Sequence, residues 1–262
     1  MRNPSRYWTI ALLAGLLTLA ACKSSPPAYQ APVRGTYKKQ PAQAAVANMQ
    51  LAYEYMKLGQ LATARERIEL ALAEDPSNPQ VQVAAGIVYE RVNEMKKAES
   101  AYQTANRLGK NDPNIQNVYA GFLCRTGKNT AGEKLFAEVM RNPLYTTPEV
   151  ALVNAGVCVR AAGNAVDADR YFNQALAIRP NMPAALLELG SDALERGDAA
   201  EARDIVQRYL AVNAPTPEIL WLGVRAQRKL GDSVAAAVYA RRLQTEFPNS
   251  EQAQNMRNGI DR

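Results

Sequence analysis

From residue 45 onward, small and apolar residues recur at a fixed distance along the chain. Glycine or asparagine recurs every 34 residues, with one step of 36, at Gly59, Asn93, Gly127, Gly163, Gly197 and Gly231. A second set of small residues keeps the same spacing at Ala64, Ala98, Gly132, Ala168, Ala202 and Ala236. A third set, of larger apolar residues, follows at Ile68, Tyr102, Phe136, Phe172, Val206 and, more weakly, Ala240. Three sets in one register indicate an internal repeat.

This pattern is typical of tetratricopeptide repeats, in which a turn glycine separates two helices that cross at small residues. Neither helix of a unit can bury its apolar face alone, so successive units stack. We therefore predict an all-α fold, a right-handed superhelical solenoid of six repeats. The predicted units are 45–78, 79–112, 113–148, 149–182, 183–216 and 217–250. The two extra residues fall near 142–148, and 251–262 should form a C-terminal cap or tail.

The first 21 residues show the pattern of a bacterial signal peptide. Arg2 and Arg6 precede an apolar run at 7–21, which ends in Leu19-Ala20-Ala21-Cys22. This ending resembles the lipobox, whose cysteine is lipidated and becomes the first residue of the mature protein. We therefore expect a lipoprotein signal peptide at 1–21 and a lipid on Cys22. The alternative is an ordinary cleavage site with a coincidental cysteine.

Residues 22–44 are predicted to form the lipidated cysteine and a proline-rich, flexible tether. By resemblance to Gram-negative lipoproteins, Lys23 in place of an aspartate favours the inner leaflet of the outer membrane, facing the periplasm. The net charge of +6 comes entirely from these first 44 residues, since 45–262 has 25 basic and 25 acidic side chains. A neutral body lacks the electrostatics of nucleic-acid binding, so no nucleic-acid partner is expected.

Composition excludes several kinds of catalytic and metal site. The chain has no histidine and three cysteines, which excludes His-based triads, His-containing zinc sites and four-thiolate clusters. The stretch at 121–129 resembles a P-loop, but five residues separate its glycines and Asn129 stands where Ser or Thr should hold magnesium. We expect no enzyme activity, no cofactor, no metal and no small-molecule substrate.

Cys124 and Cys158 are 34 residues apart, in the first helices of the third and fourth repeats. Neighbouring first helices lie side by side, so in an oxidising compartment the two thiols can form a disulfide. We predict this bond. Two buried free thiols are the alternative, because the two-residue insertion lies between them.

Several segments outside the repeat pattern resemble one family in particular. They are 117–124 (Asn-Val-Tyr-Ala-Gly-Phe-Leu-Cys), 143–145 with Pro148, 154–158 (Asn-Ala-Gly-Val-Cys), and 220–225 followed by Gly231 and Asp232. They resemble the type IV pilus biogenesis lipoproteins of the PilF/PilW family, the pilotins, with departures at Val118 and Ala120. The resemblance implies an outer-membrane lipoprotein that binds subunits of the pilus secretin and promotes their localisation and multimerisation.

Two other classes of function remain open at this point. The chain could be another periplasm-facing repeat lipoprotein, an adaptor in β-barrel assembly or cell-wall synthesis, or a regulatory subunit of an enzyme elsewhere. In each case the expected contacts are protein partners and, through the lipid anchor, the membrane. Apart from its partner, the protein is expected to be a monomer.

A partner is expected to dock on the concave surface formed by the first helices. On the family's repeat numbering, the inward positions give the apolar set Met49, Tyr53, Met56, Val83, Ile87, Val118, Phe122, Val153 and Val157. Beyond them lie Arg160, Arg225 and Arg228, so the groove is predicted to change from apolar to basic. The alternative for any one residue is that it packs in the core. We expect repeats one to three to hold the secretin segment.

Overall fold

The structure is a computed structural model that describes residues 40–110 and 112–259. Within these ranges the chain forms thirteen α-helices and no strand. The helices are α1 (Pro41–Lys57), α2 (Leu61–Glu74), α3 (Pro79–Arg91), α4 (Met95–Leu108), α5 (Pro113–Arg125), α6 (Asn129–Arg141), α7 (Pro148–Ala161), α8 (Ala165–Ile178), α9 (Pro183–Glu195), α10 (Ala199–Val212), α11 (Pro217–Lys229), α12 (Ser233–Glu246) and α13 (Glu251–Arg257). The predicted signal peptide, Cys22 and most of the predicted tether lie outside the described residues.

The first helix of each repeat starts and stops at sequence-specific positions. All six begin with a proline, which suits the first helical turn because its missing N–H would have no partner there. Each ends shortly before a residue with positive φ, namely Gly59 (72°), Asn93 (62°), Gly127 (78°), Gly163 (91°), Gly197 (90°) and Gly231 (78°). Glycine, and less readily asparagine, tolerates this left-handed conformation. The recurring glycine set therefore forms the turn inside each helix pair.

The other two recurring sets form the core between the helices. Ile68, Tyr102, Phe136, Phe172 and Val206 are completely buried. Burying one such large side chain stabilises a fold by about 1.5–3 kcal/mol. In the small set, Gly132 replaces alanine because a Cβ there would lie 2.9 Å from the carbonyl oxygen of Ala120.

The helices stack in chain order. Each repeat pairs its first and second helix, and each second helix contacts the first helix of the next repeat. First helices also contact one another, as α1 does α3 and α5 does α7. At the C-terminal end, α13 packs on α11 and α12, and its Ala253 is fully buried. The predicted all-α solenoid of tetratricopeptide repeats is confirmed.

One predicted boundary is wrong. Helix α1 begins at Pro41, so residues 41–44 are helical and do not belong to the tether predicted at 22–44. Prolines are common in flexible linkers, but Pro41 stands at the first helical position, where a proline favours the start of a helix. The later first helices begin at Pro79, Pro113, Pro148, Pro183 and Pro217, at or next to the predicted boundaries.

The described helices are too short or too polar for a transmembrane role. In residues 40–110 and 112–259, none combines the length and apolar character that a bilayer span requires.

Candidate functional site

The first helices form one continuous face of the stack, called here the first-helix face. At its N-terminal end α1 and α3 border an open groove of about 660 Å³. We call it the N-terminal groove, and its lining residues are Gln50, Tyr53, Glu54, Met56, Lys57, Ile87 and Arg91. Tyr53 and Met56 lie one helical turn apart on α1, and Ile87 faces them from α3.

The apolar side chains of the N-terminal groove are half-buried. Tyr53, Met56 and Ile87 pack against the core of the first two repeats and keep part of their surface exposed. Burial raises the pKa of Tyr53 above its ordinary value of 10, and its neutral phenol can donate a hydrogen bond at pH 7. At the rim, Lys57 Nζ lies 2.7 Å from Glu54 Oε1, and both side chains are largely exposed. The groove therefore combines an apolar floor with a polar edge.

A smaller cavity of about 280 Å³ lies where the third repeat meets the fourth. We call it the junction pocket, and it is lined by Asn117, Val118, Gly121, Cys124, Arg125, Asn154, Val157, Cys158 and Ala161. A disulfide joins Cys124 on α5 to Cys158 on α7, with the Cα atoms 5.2 Å apart. The bond crosses the repeat boundary that carries the two-residue insertion.

Between the groove and the pocket, Glu90 links three helices. Its carboxylate accepts hydrogen bonds from Arg125 Nε at 2.5 Å and Arg125 Nη2 at 3.0 Å. It also accepts one from the Tyr102 hydroxyl at 3.2 Å. The hydrogen bond to Glu90 raises the pKa of Arg125 above its ordinary value. The Arg125 charge is thus already matched within the protein.

Three of the predicted groove residues are core residues instead. Val83, Phe122 and Val153 are only 7%, 1% and 6% exposed. Phe122 packs on the Tyr102 ring with the centroids 4.8 Å apart. A first helix is flanked by its own second helix and by neighbouring repeats, so only a narrow strip of it stays open. The prediction is wrong for these three positions.

The other predicted apolar residues lie in the N-terminal groove, in the junction pocket or at the edge of the core. Tyr53, Met56 and Ile87 line the N-terminal groove, and Val118 and Val157 line the junction pocket. Met49 is half-buried against the core of the first two repeats.

The predicted change from apolar to basic does not occur at Arg160. Its Nη1 lies 2.8 Å from Asp192 Oδ1, its Nη2 pairs with Glu188, and its guanidinium lies 5.8 Å from the centre of the Phe172 ring. Asp192 is 2% exposed, so Arg160 compensates a buried charge. Its positive charge is used inside the protein, and the interpretation of Arg160 as a groove residue is wrong.

Several site residues were missed by the repeat pattern. Gln50 and Arg91 border the N-terminal groove, and Asn117 and Asn154 border the junction pocket. Both asparagines begin segments that carry the family resemblance, 117–124 and 154–158, and this is the sequence signal that distinguishes them.

Comparison with known proteins agrees with this architecture. A tetratricopeptide-repeat family model matches residues 55–122 and 159–227, and a second one matches 219–250. The type IV pilus assembly protein PilF of Pseudomonas aeruginosa is 24% identical over 204 residues, which are 78% of this chain and 81% of PilF. The crystal structure of PilW, a widely conserved type IV pilus biogenesis factor, is 30% identical, with a TM-score of 0.66 over 82% of this chain and 98% of PilW.

The chain belongs to the tetratricopeptide-repeat proteins of the PilF/PilW family. The crystal structure of P. aeruginosa PilF, 24% identical with a TM-score of 0.61 over 84% of this chain, has the same fold. The family resemblance noted in the sequence is confirmed. In this PilF/PilW homologue, the first-helix face has open surface at repeats one and two and where repeats three and four meet. A smaller cavity of about 200 Å³ lies at repeats five and six, where α9 and α11 meet and Arg225 is part of the lining.

Proposed function

We propose that this PilF/PilW homologue is a lipid-anchored scaffold of the outer membrane that binds subunits of the type IV pilus secretin. Binding would promote the localisation and multimerisation of the secretin, and so pilus biogenesis. The proposed role rests on binding and involves no catalysis. The observation that carries it is the N-terminal groove, an open apolar site in a protein homologous to type IV pilus biogenesis factors.

The chemistry of the N-terminal groove suits a peptide partner. Tyr53, Met56 and Ile87 offer apolar surface, and aromatic residues and methionine are enriched in protein interfaces. Methionine adapts to irregular surfaces because its side chain is unbranched and flexible. An amphipathic helix or an extended segment of the secretin could bury its own apolar side chains here. The exposed Glu54 and Lys57 at the rim would remain solvated.

A double substitution tests this proposal. Changing Tyr53→Glu and Ile87→Glu places two charges in the groove, and their desolvation opposes burial by a partner. Because central interface residues often contribute about 2 kcal/mol or more, we expect secretin affinity to fall by about 100-fold or more. Co-purification with the secretin and a titration of the purified proteins measure the effect.

The matched control uses two exposed valines on α12. Val234 and Val238 are 76% and 56% exposed, so Val234→Glu with Val238→Glu adds the same charge outside the first-helix face. We expect the control to bind the secretin normally. Circular dichroism should show both variants folded. Retained affinity in a folded Tyr53/Ile87 variant would refute the groove as the secretin site.

The membrane anchor is proposed from the sequence at 19–22 (Leu-Ala-Ala-Cys), with Lys23 favouring the outer membrane. Several acyl chains on one cysteine hold a protein far more durably than a single chain does. Metabolic labelling with a fatty-acid analogue should mark the wild type and not Cys22→Ser, and only the wild type should fractionate with the outer membrane. Equal labelling of both proteins would exclude Cys22 as the lipid site.

A further inference from the structure

Two asparagine side chains meet at the junction pocket. Asn117 on α5 is only 8% exposed, and Asn154 on α7 is half-buried. The Asn154 Nδ2 group donates a hydrogen bond to Asn117 Oδ1 at 3.2 Å. The two amides therefore form a pair across the boundary between the third and fourth repeats.

This pair has hydrogen-bonding capacity left over. One bond uses the oxygen of Asn117 and one N–H of Asn154, so the NH₂ of Asn117 and the oxygen of Asn154 can serve another group. Both asparagines line the junction pocket, where a bound molecule can reach them.

The rest of the pocket favours a neutral ligand with a small apolar part. Val118, Val157 and the Cys124–Cys158 disulfide provide apolar surface. Arg125 is the charged residue among those lining the pocket, and its guanidinium is held by Glu90 through two hydrogen bonds. The asparagine pair thus offers a donor and an acceptor beside apolar surface, and Glu90 balances the charge of Arg125.

We propose that the junction pocket binds the main chain of an extended peptide. Each non-proline residue of an extended peptide carries one N–H donor and one C=O acceptor on the same edge of the chain, and these complement the free oxygen and NH₂ of the asparagine pair. A small apolar side chain of the same peptide would lie against Val157 and the disulfide. Main-chain recognition of this kind tolerates many side-chain sequences, because every non-proline residue offers the same two groups.

This proposal rests on the proposed function, and its occupant is an extended segment of the secretin. The N-terminal groove lies on α1 and α3, and the junction pocket on α5 and α7. These are four successive first helices, so a segment that continues along the first-helix face from the groove reaches the pocket. The groove would select apolar side chains, and the asparagine pair would hold the backbone beyond them.

The test combines protein variants with a change in the peptide backbone. Overlapping synthetic peptides of the secretin are titrated against the full chain and against Asn154→Ala. In the peptide that binds, each peptide bond is replaced in turn by an ester, which removes one N–H donor and leaves the side chains unchanged. The control Asn173→Ala removes an asparagine on α8 whose Nδ2 donates to the Asp169 backbone oxygen at 2.9 Å.

We expect Asn154→Ala to weaken binding by about 10-fold and Asn173→Ala to leave it unchanged, as for the loss of one hydrogen bond. One ester position should weaken binding to the wild type by about 10-fold and have no further effect on Asn154→Ala. If that ester weakens both proteins equally, or if Asn154→Ala binds like the wild type, the proposal is wrong. If the junction-pocket proposal fails in this way but Tyr53→Glu with Ile87→Glu abolishes secretin binding, the proposed function still stands. If no secretin peptide or intact secretin binds the wild type, both proposals fail.

Discussion

The first-helix face has the same helical backbone at repeats one and two as at repeats four and five, but different side chains fill it. At the N-terminal end, Tyr53, Met56 and Ile87 leave apolar surface open. At repeats four and five, Arg160 bonds to Glu188 and to the buried Asp192. The comparison shows that the same helical backbone leaves apolar surface open in one region and carries a buried charge pair in the other.

The disulfide joins the third repeat to the fourth, and its loss should have the largest effect on stability. Cys124 and Cys158 close a loop with a sequence separation of 34 residues. In the chain-entropy model a loop of this size stabilises the fold by about 3–4 kcal/mol, although measured values are often smaller. Urea unfolding of the oxidised protein and of Cys124→Ala with Cys158→Ala should differ by about 2–4 kcal/mol.

Mass mapping without reductant provides the control for this experiment. It should recover the peptides of Cys124 and Cys158 as one linked species. Two thiols that both react with an alkylating agent in the folded protein would contradict the bond. The variant Cys124→Ala with Cys158→Ala should lose more stability than secretin affinity, since the N-terminal groove lies on α1 and α3, away from the disulfide.

Removing Arg160 should distinguish the two ends of the face. Arg160→Met leaves Glu188 and the buried Asp192 without their cation, which costs about 1.5–3 kcal/mol. The comparison variant is Lys57→Met in the N-terminal region, where Lys57 and Glu54 are 70% and 64% exposed. An exposed pair contributes little, so no measurable change in the free energy of unfolding is expected there. An equal loss of unfolding free energy in Arg160→Met and Lys57→Met would contradict the proposed difference between the two regions.

Substitution of Asp169 should have a smaller effect on stability, and this effect should depend on pH. Burial raises the pKa of Asp169 above its ordinary 3.8, although Arg196 opposes the change, and the Asp192 carboxylate adds to it. The folded protein thus holds this proton more tightly than the unfolded chain does. The contribution of Asp169 to stability therefore falls as pH rises above its ordinary pKa.

Asp169→Asn removes this titration, and its amide can donate to the unpartnered Oδ2 of Asp192. The stability of the variant relative to the wild type should rise as the pH rises above the ordinary pKa of 3.8. Urea unfolding at several pH values measures this trend. Asp204→Asn is the control, because the Asp204 side chain is 63% exposed and pairs with its neighbour Arg203. If the stability of Asp169→Asn relative to the wild type stays constant or falls as the pH rises, the pKa of Asp169 is not raised by folding.

The sequence predicts the helices better than it predicts which side chains stay open. The turn residues and the buried set recur in one register, so their positions follow from the spacing alone. Exposure depends on neighbouring repeats: Val83 is buried and Ile87, one turn later on α3, borders the groove. The partners of Arg160 lie 28 and 32 residues away, on the next repeat, so no local pattern reveals them. The asparagine pair cannot be recognised locally either, since its members are 37 positions apart in the sequence.

Hydrogen–deuterium exchange of the complex with the secretin tests the central claim most directly. The account predicts that secretin slows exchange in α1 and α3, with additional protection in α5 and α7, and leaves α9 and α11 unchanged. Protection should vanish from α1 and α3 in the variant Tyr53→Glu with Ile87→Glu. Protection confined to α9 and α11, with α1 and α3 exchanging as in the free protein, would contradict the account.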